Sequence, residues 1–337
     1  MPNTANRRLS AVDQAWPLAR PFVISRGAKY TAQVVVAEIE EGTGADGAPL
    51  AGRGECVPYS RYGETVESVI LQIASVADAV AGGISRGALH ELLPPGAARN
   101  AVDCALWDLE AKRAGKRVWE IAGLPAPKAM VTTETVALGS AQEMAIRAAK
   151  LKSRPLLKVK LDGEGVRERM QAVRDAAPDA RLIVDPNEGW DMGRLVDLAP
   201  VLADLGVEMI EQPLPAAVDA ELEGFTSPVP ICADEACHTA ADLERLAGKY
   251  QMVNVKLDKA GGLTEALKLA DAAEKMGFGI MAGCMVSTSL AMAPMTVLMN
   301  RAAVVDLDGP LLLKKDREGG LDFTDGRISP PDVALWG

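Results

Sequence analysis

The sequence predicts an α/β fold for this 337-residue chain. A (β/α) barrel follows an N-terminal α+β capping domain, and the C-terminal tail returns to complete the cap. Three observations predict it. Beyond residue 131, β-rich runs alternate with helical patterns eight times, the pattern of a parallel sheet closed into a ring. Seven residues suited to acid/base work or metal ligation end those runs: Lys160, Asp185, Glu211, Asp234, Lys256, Asp306 and Asp308. Their steps are 25, 26, 23 and 22 residues and then 50, or two steps, about the length of a strand, a helix and two loops. The first 130 residues lack the repeat.

In chain order, residues 6–12, 33–41 and 49–56 alternate as antiparallel strands do, with a turn at Gly42 to Gly47, and helical patterns follow at 64–80 and 97–114. The predicted barrel strands are VTTETVAL (131–138), LLKVK (156–160), RLIVD (181–185), VEMIE (207–211), PICAD (230–234), MVNVK (252–256), FGIMAG (278–283) and AVVDLD (303–308). Between them, segments such as 164–177, 191–205 and 262–276 are rich in Ala, Leu, Glu and Arg and read as outer helices. The fourth helix, near 216–224, is short. The expected division is a cap over 1–125, a barrel over 126–310 and a tail over 311–337 that packs on the cap.

Composition narrows the function. A hydrophobic share of 48% fills a core, yet the apolar stretch at 290–299 is shorter than the roughly 18 residues a membrane helix needs, so no membrane span is expected. Leu9 to Leu18 is broken by Ser10, Asp13, Gln14 and Pro17, which spoils a signal-peptide core. A net charge of −10 argues against a nucleic-acid partner, since phosphate binding needs a basic surface. Five cysteines, an odd number scattered through a large chain, suit reduced thiols in a cytoplasmic protein. Cys232 and Cys237 lack a second pair, and with two histidines in the chain no zinc site is expected.

Each of the seven residues falls at the C-terminal end of its strand, the end that carries chemistry in barrels of this kind. A charge ending one strand would merely solvate a loop, but matched charges around the ring imply a shared site. Asp185, Glu211 and Asp234 end neighbouring strands and converge. Their mutual repulsion calls for a cation, and an all-oxygen set with room for water suits Mg²⁺. Asn187 and Glu235 lie beside these ligands and are placed to orient them. Lys158 and Lys160 point to one face by the period of two, and crowding by Lys158 is expected to lower the pKa of Lys160 toward a general base. Lys256 ends the sixth strand, opposite the second in a ring of eight. One lysine on each side of a substrate suits removal of a proton from one face of a carbon and its return on the other, a racemisation or epimerisation. Lys259 is assigned to the following loop, and His90 and His238 to helix-start or surface positions.

The motifs KVK (158–160), VDPNEGW (184–190), IEQPLP (210–215), ADE (233–235) and NVKLDKAGGL (254–263) resemble those of the enolase superfamily and its muconate lactonizing subgroup. The cap contributes GECVPYSRYGE (54–64) and NAVDCALWDLEAK (100–112). The resemblance implies a modified TIM barrel, Mg²⁺ on Asp185, Glu211 and Asp234, and lysine bases at Lys160 and Lys256. DLDGPLLL (306–313) resembles the signature of dipeptide epimerases, of the L-Ala-D/L-Glu kind, whose two carboxylates bind the dipeptide's ammonium; this assigns Asp306 and Asp308. ISRGAKY (24–30) is similar to a specificity loop of the family, where Arg26 is a partner for a glutamate carboxylate. Thr133 resembles a family substrate contact, Lys158 joins the substrate site, and Cys284 is a candidate for the pocket wall. The implied partners are a small dipeptide and further copies of the chain.

Rival readings stay within reach. An o-succinylbenzoate synthase or cycloisomerase needs one active lysine, and the DLDG segment disfavours it. An N-acylamino acid racemase uses both lysines but offers Asp306 and Asp308 no cation to hold. A non-catalytic barrel protein would have lost at least one of the seven residues.

Overall fold

The computed structural model describes residues 7–43 and 49–337; the predicted turn at Gly42 to Gly47 falls largely outside the described residues. The cap opens with an antiparallel hairpin, β1 (Arg7–Ile24) and β2 (Gly27–Thr43), and β3 (Pro49–Cys56) adds to β2. The hairpin turn depends on Gly27, whose φ of 132° is costly for any side chain. β1 runs well past the predicted residue 12, because its register shifts between Pro17 and Phe22 and pairing then resumes as far as the turn.

Helices α1 (Val66–Ser75), α2 (Ala77–Ala81), α3 (Arg86–Leu92) and α4 (Ala97–Ala114) cover the sheet. Thr65 and Ser68 form a capping box at the start of α1. Val35, Ala37 and Ile39 of β2 pack with Val69, Ile73, Ala101 and Leu106 in a core of the cap's own. α4 lies so close on β3 that a Cβ at Gly54 would stand 2.1 Å from the Ala101 carbonyl oxygen. After the short α5 (Val118–Ile121) the chain enters the barrel.

The first predicted barrel strand is split. β4 (Met130–Val131) pairs with the tail, and only β5 (Glu134–Val136) joins the ring. β6 (Leu156–Lys160), β7 (Arg181–Asp185), β8 (Val207–Glu211), β9 (Ile231–Ala233), β10 (Met252–Val255), β11 (Gly279–Ala282) and β12 (Val304–Val305) follow in spatial order, all parallel. The Thr133 N–H donates to the Val305 carbonyl at 3.0 Å, and the Leu307 N–H donates to Thr132 Oγ1 at 3.1 Å, which joins the first strand to the last. The connecting helices are α6 (Ala141–Lys150), α7 (Val166–Ala176), α8 (Met192–Asp204), α9 (Leu243–Leu246), α10 (Leu257–Ala260), α11 (Leu263–Lys275) and α12 (Ser289–Met292). A 3₁₀ turn, Ala216–Leu222, takes the place of the short fourth helix.

The inside of the ring is layered by the period of two. Leu156, Ile183, Met209, Cys232, Met281 and Val304 form an apolar floor. Two residues above Leu156 comes Lys158, and two above that Lys160, so the same face of β6 passes from hydrocarbon to ammonium on the way to the mouth. The tail adds the hairpin β13 (Phe323–Thr324) and β14 (Arg327–Ile328), whose second strand pairs with β4, and its last residues bind the cap: Arg117 Nε donates to the Gly337 carbonyl at 2.7 Å. Among the described residues, no helix is long and apolar enough to cross a membrane.

Candidate active site

The hydrogen-bonded ladder aligns Lys160 with Asp185 at the ends of β6 and β7, and Glu211 ends β8 one strand further on. Asp234 follows β9 directly, and Lys256 caps α10 just beyond β10. All five are buried. Lys160 Nζ lies 2.5 Å from Asp185 Oδ2, and Lys256 Nζ lies 2.6 Å from Asp234 Oδ2 and 3.9 Å from Glu211 Oε1. The two lysines thus flank the carboxylate trio from its two ends.

Lys158 behaves differently from the expectation. Its Nζ lies 2.5 Å from Glu211, 2.7 Å from Asp306 and 3.2 Å from Asp185. Burial alone would lower its pKa, but Asp306, Glu211 and Asp185 outweigh burial and raise it well above the usual lysine value. Its charge is matched by these three carboxylates. Lys256 is likewise raised, by Asp234 and Glu211 against burial.

The carboxylates answer in kind. Burial works to raise Asp185 and Asp234, yet the lysines beside each hold both below the usual range. Glu211 is pushed up to about 8, by burial and then by Asp185, despite Lys158. Glu211 Oε2 and Asp234 Oδ1 are buried without a well-aligned hydrogen bond, although ammonium groups lie near both. Three buried carboxylates on neighbouring strands, two of them with an oxygen that lacks an aligned hydrogen bond, form an all-oxygen donor set of the kind a hard divalent cation takes. As the side chains stand, no three acidic, His or Cys groups among the described residues are gathered closely enough to grip an ion. The Lys158 ammonium stands between Asp185 and Glu211 instead, and it would have to keep Asp306 and release the other two.

Several groups around this centre were not predicted. Lys259, assigned from sequence to a loop, lies in α10 and is buried; its Nζ contacts Asp234 Oδ1 at 2.7 Å and the Asn254 carbonyl at 3.0 Å. Asn254 Nδ2 donates to Glu211 Oε1 at 2.7 Å, and its position on β10, two residues before Lys256, was the available signal. Asn187 does lie where expected, donating to Asp185 Oδ2 and accepting from Lys160 Nζ at 3.2 Å. Asn187, Glu188 and Gln212 have φ values of 47°, 65° and 33°, so strained backbone clusters directly behind the carboxylates. Glu235, pushed up to about 7 by burial and Asp234, holds Arg26.

Asp306 and Asp308 do not form the matched pair that a continued strand implied. β12 ends at Val305, and Asp308 caps a 3₁₀ turn, Gly309–Leu312. Asp306 is engaged by Lys158 and by a short hydrogen bond from Thr133, so Thr133 serves Asp306. Asp308 is buried with Oδ2 unpartnered, its pKa pushed up to about 7 by burial and Asp306.

The hairpin tip closes the mouth. Ser25 Oγ and Arg26 Nη1 both donate to the Asn187 carbonyl, and Arg26 also contacts Glu188 at 3.2 Å, Glu235 at 2.8 Å and Tyr59 Oη at 3.2 Å. Arg26 therefore lines the pocket with its fork already engaged. Lys29, exposed at the rim, has no acidic side chain within ion-pair distance among the described residues; its Nζ stands 4.7 Å from the centre of the Tyr59 ring. The enclosed space is about 70 Å³, walled further by Phe22, Thr135, Cys284 and Met285.

Residues 6–123 match the mandelate racemase / muconate lactonizing enzyme N-terminal domain, and residues 134–334 match the enolase C-terminal domain-like family. The chain belongs to the mandelate racemase / muconate lactonizing enzyme family. Within this family it is 49% identical over 96% of its length to the L-Ala-D/L-Glu epimerase of Escherichia coli, of which it covers 99%. It is 46% identical over 85% of its length to an N-acetyl-D-glutamate racemase of Pseudoalteromonas, of which it covers 91%. Its fold matches, at a TM-score of 0.94, that of an enolase family member from Agrobacterium tumefaciens with bound sodium and L-Ala-L-Glu; identity is 46%, over 98% of this chain and 100% of that one. A dipeptide epimerase from Methylococcus capsulatus, complexed with Mg and L-Arg-D-Lys, matches at 0.87 and 30% identity, over 96% and 98%.

Proposed function

We propose that this protein is a Mg²⁺-dependent dipeptide epimerase that inverts the α-carbon of a C-terminal acidic residue, with L-Ala-D/L-Glu as the substrate pair. The observation that carries the reading is the placement of two lysines, Lys160 and Lys256, at opposite ends of one buried carboxylate trio and in one cavity. Asp185, Glu211 and Asp234 would hold the Mg²⁺, which stabilises the negative charge that builds on the substrate carboxylate as the α-proton leaves. One lysine, neutral, accepts the α-proton on its face; the other, as ammonium, returns a proton to the opposite face. Asn187 holds Lys160 toward Asp185, and Lys259 and Asn254 fix Asp234 and Glu211 from behind. Lys158 would stay bound to Asp306 with the ion in place.

The substrate's ammonium is assigned to Asp308, which lines the cavity and has an unpartnered oxygen, with Asp306 completing the negative site. Its side-chain carboxylate is assigned to Lys29 instead of Arg26, because among the described residues Lys29 is the lining cation without an acidic partner while Arg26 binds the hairpin tip down through Glu188 and Glu235. The five free cysteines support a cytoplasmic location, and homo-oligomeric assembly is open to light scattering.

A second reading, racemisation of an N-acylated glutamate, is favoured by the occupation of Asp306 by Lys158 and Thr133, which leaves one carboxylate for a cation. Incubation in D₂O with Mg²⁺ separates the two. Loss of the α-proton signal of L-Ala-L-Glu supports the dipeptide reading; exchange of N-acetylglutamate with no exchange of any dipeptide would falsify it.

A further inference from the structure

A second cavity of about 630 Å³ lies against the active site and shares Phe22, Thr135, Asp308 and Leu312 with it as a common wall. Its size falls in the roughly 300–1,000 Å³ range of small-ligand sites. Nothing in the chemistry assigned so far uses it. Two features indicate what it holds. Asp308, buried and with Oδ2 unpartnered, lines both cavities, so a group attached to the carbon that bears the ammonium would emerge beside the second one. The rim is cationic: Arg20 comes from the hairpin, and Arg147 and Lys150 come from α6, three residues apart and hence on one face.

The charges there are unbalanced. Arg147 Nη1 donates to the Ala137 and Leu138 carbonyls, at 2.6 and 3.0 Å, which fixes its position, and Glu143 one turn back is its acidic neighbour, so the unbalanced charges are those of Arg20 and Lys150. Besides Asp308 on the shared wall, Glu134 is an acidic side chain that lines the cavity, and Arg154 already pairs with it at 2.6 Å. We propose that this cavity is the subsite for the side chain of the substrate's N-terminal residue, and that it favours an acidic side chain there. The proposal rests on the dipeptide reading and extends it: alanine would leave the cavity unfilled, so dipeptides with a longer first residue, glutamate above all, are substrates.

The test compares L-Ala-L-Glu, L-Glu-L-Glu, L-Gln-L-Glu and L-Lys-L-Glu by α-proton exchange in D₂O, with wild type and an Arg20→Gln/Lys150→Gln double variant. Wild type is expected to process L-Glu-L-Glu with a kcat/KM about three- to tenfold above L-Gln-L-Glu and further above L-Lys-L-Glu, the range two exposed ion contacts provide. The advantage should shrink at high salt. In the double variant the Glu-to-Gln ratio should fall toward one. Exchange of L-Ala-L-Glu with none for any longer first residue overturns the subsite, as does L-Lys-L-Glu matching L-Glu-L-Glu, or a ratio that the double variant leaves unchanged. If L-Ala-L-Glu itself fails to exchange, the dipeptide reading beneath the proposal falls as well.

Discussion

Removing one lysine should divide the reaction into its two halves. In Lys256→Ala, Asp234 keeps Lys259 at 2.7 Å, so the buried carboxylate retains a cation and the fold is expected to survive. No other amine can take the missing place. Lys259 is bound to Asp234 and to backbone carbonyls, and Lys158 is held by Asp306. The loss in epimerisation should therefore lie near the upper end of the roughly 10²–10⁴-fold effect of a general acid or base, or about 5 kcal/mol at about 1.4 kcal/mol per tenfold. Proton exchange is another matter, because the remaining Lys160 still reaches one face. The assay is ¹H NMR in D₂O with L-Ala-L-Glu and L-Ala-D-Glu in parallel. Lys256→Ala should exchange one epimer and leave the other inert, and Lys160→Ala should show the reverse preference. Epimerisation surviving in either variant, or both variants exchanging the same epimer, would refute the assignment of one lysine to each face.

Other outcomes follow from the same geometry. Lys29→Gln should raise KM for L-Ala-L-Glu several-fold while sparing L-Ala-L-Gln, whereas Arg26→Gln should weaken both alike; steady-state kinetics on the two peptides decides. Chelation with EDTA should abolish exchange and lower the melting temperature, and added Mg²⁺ at 100 times its Kd should restore about 2.7 kcal/mol, read by calorimetry. Gly54→Ala should cost roughly 1–3 kcal/mol in urea unfolding, since the new Cβ meets the backbone of α4 at 2.1 Å and no flexible side chain can give way. Asp258 is buried, accepts from Val57 N–H and Asn100, and is pushed up to about 7 by burial. A carboxyl whose folded pKa is raised binds its proton more tightly when folded, so its contribution falls as pH climbs from about 4 through 7. Asp258→Asn should flatten that part of the stability curve, and an unchanged slope in melting temperature against pH would remove Asp258 as its source.

What the sequence revealed was governed by periodicity. The strand ends and the trio were legible because a barrel repeats one unit and the period of two decides which side chains face inward, so Lys160, Asp185, Glu211, Asp234 and Lys256 needed only the ring to be brought together. Lys259 escaped because α10 turns the chain back behind Asp234, and a reversal of four residues leaves no period to read. Lys29 escaped for a related reason: the tip of a hairpin reaches the mouth through a register shift that alternation does not encode. Asp306 and Asp308 show the limit most clearly. Their spacing of two promised one shared face, but the strand stops at Val305, so one residue turns to Lys158 and Thr133 while the other opens toward the cavities. Spacing reports chemistry only for as long as the backbone that gives it meaning continues. Where β12 gives way to a turn, two residues that look equivalent in sequence take up separate work, one holding the framework of the site and the other facing the substrate.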